Sequence, residues 1–127
     1  TTSHTEGTPL VLDGKVIFSA GDDGLYCVTA ADGKPVWHLP GHEAGLHIDT
    51  PAAAARGKLF SGSGYRTLAV FALDAATGKE LWRTPVDLRS FGPPLVLGKS
   101  VVFGLGTGNL AEDLSQEADG TPKETRP

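Results

Sequence analysis

Two stretches of eleven residues, Cys27 to Trp37 and Ala72 to Trp82, follow one pattern: a short apolar lead-in, a turn built on Gly-Lys, then a tryptophan. Trp37 and Trp82 are 45 residues apart, and so are Gly33 and Gly78. Glycine takes a positive φ at no steric penalty, so each Gly-Lys pair reads as a tight turn between two strands. Two turns and two tryptophans in one register make the chain a tandem repeat, and everything else in it is read through that period.

Around these anchors the chain breaks into short apolar runs separated by turn residues. Pro9 to Leu12 is followed by Asp13-Gly14, a strong hairpin signal, and then by Lys15 to Ala20. A turn at Gly21 to Gly24 leads to Leu25 to Val28, and the Gly33-Lys34 turn delivers Val36 to Leu39. This predicts four antiparallel strands in a first unit, 8–39. A second unit, 50–84, has strands expected at 51–55, 58–62, 68–73 and 80–84. A third, 92–110, opens at Phe91-Gly92-Pro93-Pro94 and runs through Leu95 to Leu97 and Ser100 to Leu105 before breaking off. The expected class is therefore all-β, about two and a half four-stranded antiparallel units in one domain.

The eleven-residue pattern closely resembles the tryptophan-docking motif of the quinoprotein-type (PQQ-like) β-propeller repeat. That resemblance implies one four-stranded blade per repeat, with each tryptophan stacked on the Gly-Lys peptide of a neighbouring blade. Ala72, Asp74, Gly78, Lys79 and Trp82 occupy the motif positions of the second copy. The first keeps Gly33, Lys34 and Trp37 but has Cys27 for the alanine and Thr29 for the aspartate, so a looser blade contact is expected there. Cys27 is the sole cysteine, which excludes an internal disulfide, and its slot suits a small buried hydrophobe.

Propellers close with roughly four to eight blades, each burying its faces against neighbours. Two and a half blades cannot close. Together with the lack of any methionine, this points to a fragment of a longer propeller or a subunit completed by other copies. Alone, such a chain is expected to expose apolar faces and strand edges.

Charge narrows the partners. The net charge is −4, of which residues 111–127 carry −3 and the repeat body −1. A nearly neutral body lacks the clustered positive face that phosphate binding requires, which argues against nucleic acid. No apolar run approaches the roughly 18 to 20 residues of a membrane helix, and no signal segment opens the chain.

Candidate sites are few. Propeller geometry places residues 40–50 and 85–92 beside 21–24, 63–67 and 106–110 at one mouth of the ring. His42, Glu43, His47 and Asp49 lie in the longest of these loops, a surface suited to ligand contact. The spacing of five between the two histidines fits no recognised metal pattern, so hydrogen bonds to the local chain are the expected role and no metal is assigned. Gly104 to Asn109 imitates a dinucleotide fingerprint but leaves no room for the following strand and its acid, and reads as a glycine-rich turn. Ser61 and Ser63 do not form a nucleophile elbow.

Enzymes of the resembled family hold pyrroloquinoline quinone with a vicinal Cys-Cys ring, a tryptophan floor and calcium. The resemblance here covers the scaffold and not that site, so no cofactor and no catalytic residue is assigned. What it implies is a non-catalytic interaction module of the bacterial envelope, periplasmic, with neighbouring blades, other copies or envelope proteins as partners. The alternative is a segment of a quinoprotein-type dehydrogenase whose cofactor site lies in other blades.

Overall fold

The computed structural model describes residues 1–106. Strands β1 (Leu10–Leu12), β2 (Lys15–Ser19), β3 (Leu25–Thr29) and β4 (Pro35–Leu39) form an antiparallel sheet in chain order. A single helical turn, α1 (Gly41–Ala44), and the short strand β5 (Leu46–His47) follow. The second sheet contains β6 (Ala53–Ala55), β7 (Lys58–Gly62), β9 (Ala69–Asp74) and β10 (Glu80–Pro85), again as an up-and-down meander. Between β7 and β9, β8 (Tyr65–Arg66) turns aside to pair with β5. A ribbon of β11 (Leu95–Leu97) and β12 (Ser100–Val102) packs beside β6.

The result is all-β, a partial propeller of four-stranded antiparallel blades. Its two sheets repeat in detail. Cys27 stands opposite Trp37 and Ala72 opposite Trp82, and both pairings sit next to a register shift in the same part of the hairpin. A register shift of this kind adds twist to the outer strand beside the tryptophan.

One apolar cluster lies between the two sheets. Ile17, Leu25 and Cys27 from the first meet Leu59, Phe71 and Leu73 from the second, with Leu46 and Ile48 filling the gap from the connecting segment. β9 is buried along nearly its whole length, which is what a strand covered on both faces requires.

Two expectations change in detail. The connection 40–50, read as a plain loop, carries α1 and β5. Pro40, at φ −73, starts the helical turn, and the left-handed Gly45 ends it with its N–H directed at the carbonyls of Gly41 and His42. The strand read as Ser100 to Leu105 stops at Val102. The remainder of the third unit up to residue 110, the end of the glycine-rich stretch and the acidic tail 111–127 lie outside the described residues.

Candidate functional site

The two tryptophans end up in different surroundings. Trp37, at the centre of β4, reaches across to the second sheet, where its indole N–H donates to the carbonyl of Ala75 at 3.0 Å. Its ring covers Gly78 so closely that a Cβ there would stand 2.5 Å from Cε3 and 2.6 Å from Cδ2. Gly78 itself has φ +74, so the position requires glycine on both counts. Gly33, at φ +71, makes the same turn with nothing within 4 Å of where its Cβ would be.

Trp82 remains 37% exposed. It tilts against Phe60 and meets Phe103 edge-on, bordering a cleft with Val96 and Val101 of the ribbon. The ribbon supplies no counterpart of the Gly78 turn among the described residues, so the second indole is less enclosed than the first.

The two Gly-Lys turns are built with different side chains. In the second, the Asp74 carboxylate accepts from the backbone N–H of Thr77 and of Ala76, each at 3.0 Å, and from the Thr77 hydroxyl at 3.1 Å. These bonds, led by Thr77, hold its pKa below the usual carboxylate range. In the first, Thr29 accepts from the Lys34 N–H at 3.0 Å and donates to Asp32. Lys34 adds an exposed ion pair to Asp32, and Lys79 is exposed. Ala72 and Cys27 are both fully buried, and burial pushes the Cys27 thiol up. The substitutions at 27 and 29 leave the Trp37 contact intact because that contact is received by the second copy's turn.

A polar cluster lies where the first sheet's β2–β3 turn meets the connecting segment. Gly21 and Ile48 exchange two backbone hydrogen bonds, 2.9 and 3.0 Å long, which draw Asp22 beside His47 and Asp49. Gly21 passes close beneath: a Cβ there would lie 3.1 Å from His47 Cε1 and 3.2 Å from His4 Cε1. His47 Nδ1 lies 2.8 Å from Asp22 Oδ1 and its Nε2 lies 2.9 Å from Asp49 Oδ2. The other oxygen of Asp49 meets His4 Nε2 at 2.8 Å.

Pairing of β5 with β8 sets Tyr65 opposite His47 and brings up Arg66, whose Nε donates to Asp22 Oδ1 at 2.8 Å. Arg66 adopts φ +62, an uncommon conformation for a residue with a side chain. The Arg66 bond, followed by that of His47, holds the Asp22 carboxyl well below its ordinary range. The Tyr65 ring meets His47 edge-on and receives the Arg89 guanidinium 4.3 Å from its centre.

The loop quartet is thus divided. His47 and Asp49 face inward, at 12% and 9% side-chain exposure, whereas His42 and Glu43 sit exposed on α1. His4, Asp22 and Arg66 complete the cluster instead, and local spacing points to none of them. The repeat period does: His4 and Asp49 are 45 positions apart and Asp22 and Arg66 are 44. Residues one period apart occupy equivalent places on adjoining blades.

The repeat agrees with the comparisons to known proteins. The family model described as outer membrane protein assembly factor BamB matches twice, over residues 1–55 and 42–121. The chain belongs to this PQQ-like β-propeller repeat family. Within the family, it is 29% identical over 99 residues to an outer membrane protein assembly factor BamB of Burkholderia pseudomallei (strain K96243), covering 77% of this chain and 24% of that one. It is 34% identical over 102 residues to the dehydrogenase subunit of a quinone alcohol dehydrogenase of Gluconacetobacter polyoxogenes, covering 74% and 13%. The quinohemoprotein alcohol dehydrogenase of Comamonas testosteroni superposes at a TM-score of 0.67 with 28% identity, over 91% of this chain and 19% of that one. The chain therefore spans a quarter or less of these relatives. Among its described residues no helix is long and apolar enough to cross a membrane.

Proposed function

We propose that the chain is part of a larger PQQ-like propeller and acts there as a non-catalytic scaffold, offering blade edges and loops to protein partners in the periplasm. The observation that carries this reading is the use made of Trp37: its ring and its N–H are both committed to the Gly78 turn. Neither is left to stack on a ligand. Cys27, the sole cysteine, is sealed in the core between the sheets, so the chain's own residues do not fit a vicinal thiol clamp for a planar quinone.

Exposed apolar side chains stand on the last strand of the second sheet and on the ribbon beside it. Leu81 and Trp82 on β10 and Leu95, Leu97 and Val102 on the ribbon are all solvent-facing. Exposed apolar side chains there suit a contact surface for further blades or partners. Likeness to the assembly factor supports placing that surface in the bacterial envelope.

The second reading is a segment of a quinone-dependent alcohol dehydrogenase, favoured by the 34% identity to such a subunit. Because the alternative puts the cofactor site in other blades, titrating the larger protein that carries those blades with pyrroloquinoline quinone and calcium separates the two. The scaffold reading expects unchanged tryptophan fluorescence and melting temperature. Saturable quenching with a raised melting temperature would overturn it in favour of the dehydrogenase segment.

A further inference from the structure

We propose that His4, His47 and Asp49 form a binding site for a divalent transition cation of the zinc class. The three side chains each offer a ligand atom, and these atoms lie within 4.8 Å of one another. Both histidines direct Nε2 at the same carboxylate, His4 to Oδ1 at 2.8 Å and His47 to Oδ2 at 2.9 Å. Zinc bonds of about 2.0 to 2.2 Å put neighbouring tetrahedral ligands about 3.3 Å apart. The two histidine–carboxylate pairs sit inside that spacing and would part by about half an ångström around an ion, a shift that His4, 49% exposed, is free to make.

The surroundings of His47 carry the argument further. Its Nδ1 faces Asp22 Oδ1, the same oxygen that Arg66 holds. Metal-bound imidazoles regularly donate their second N–H to a carboxylate in this manner, which selects the tautomer and aims the free lone pair at the metal. A tautomer that gives the Nδ1 proton to Asp22 leaves the Nε2 lone pair facing Asp49 at 2.9 Å, where a cation among Nε2 of both rings and the carboxylate would receive it.

Two imidazole nitrogens and one carboxylate select zinc, cobalt or nickel over calcium or magnesium, which favour all-oxygen shells. Three protein ligands leave a fourth position for water. Bound metal would fasten the segment before β1 to the junction of the two sheets, since His4 precedes the first sheet and His47 and Asp49 lie between them. The site does not depend on whether the chain serves as scaffold or dehydrogenase segment.

Cobalt(II) is the probe, added to the untagged full chain at neutral pH, with zinc in competition. The expected result is one saturable equivalent with intense visible ligand-field bands, displaced by zinc. His4→Ala, on the exposed segment before the first strand, should weaken binding about tenfold or more with circular dichroism unchanged, and Asp22→Asn should weaken it roughly 10 to 100-fold. His42→Ala should change nothing. No saturable band, or a band untouched by His4→Ala or diminished by His42→Ala, would overturn the site.

Discussion

The ring of Trp37 occupies the space a side chain at position 78 would need: a Cβ on Gly78 would lie 2.5 Å from Trp37 Cε3. This contact joins the outer strand of one sheet to the turn of the next, and the bond from the indole to Ala75 fixes its orientation. It makes the interface between adjoining blades a stereochemically defined fit as well as an apolar one.

Gly33 and Gly78 provide a matched pair for measuring that fit. Both have positive φ, so alanine at either costs about 1 kcal/mol in backbone strain. Gly78→Ala must also displace the indole, whereas Gly33→Ala meets open space. Urea denaturation should show Gly78→Ala the more destabilising by a further 1 to 3 kcal/mol or so, the usual range for overpacking. Equal losses would show that the ring yields freely.

The two tryptophans should differ in the same direction. Trp37→Ala removes a half-buried ring and leaves the Ala75 carbonyl without its partner, an expected loss of roughly 3 kcal/mol. Trp82→Ala, at a ring already 37% exposed, should cost nearer about 1 kcal/mol. Melting both variants by circular dichroism checks the order. A larger loss at Trp82 would mean that its cleft closes in solution.

Thr50 is fully buried, and its hydroxyl donates to the Ser90 carbonyl at 2.6 Å while its own carbonyl accepts from Ser61 at 3.2 Å. Thr50→Val keeps the shape and leaves the Ser90 carbonyl unpaired in the interior, so it should destabilise by about 1 to 3 kcal/mol. Thr50→Ser, retaining the hydroxyl, should recover much of that loss in the same denaturation assay.

Asp74 gives a pH signature. Its folded pKa lies below the ordinary value of 3.8, held there first by Thr77. A depressed carboxylate contributes stability that is fully present above the unfolded value and is lost as pH falls through the folded one. The melting-temperature gap between the parent chain and Asp74→Asn should therefore be constant from pH 7 to about 5 and shrink below pH 4. A gap that widens in acid would contradict the assignment.

Much of the fold was legible from local signals. Asp13-Gly14 between apolar runs marked the first hairpin, and the paired tryptophans 45 residues apart marked the repeat. Hairpins depend on turn chemistry and alternation over a few neighbouring residues, and the linear sequence records both. The polar cluster was only half legible. His47 and Asp49 are close in sequence and were singled out, but His42 and Glu43 beside them belong to an exposed helical turn.

Sequence alone determined that this chain builds successive antiparallel sheets with an indole after the Gly33-Lys34 and Gly78-Lys79 bends, because those are short-range choices of backbone and period. Only the tertiary structure decided that Trp37 is seated while Trp82 faces a cleft, and that His4 joins His47 and Asp49. Such outcomes depend on what the next sheet presents across the interface, and side chains forty-odd positions apart meet only after the blades have packed.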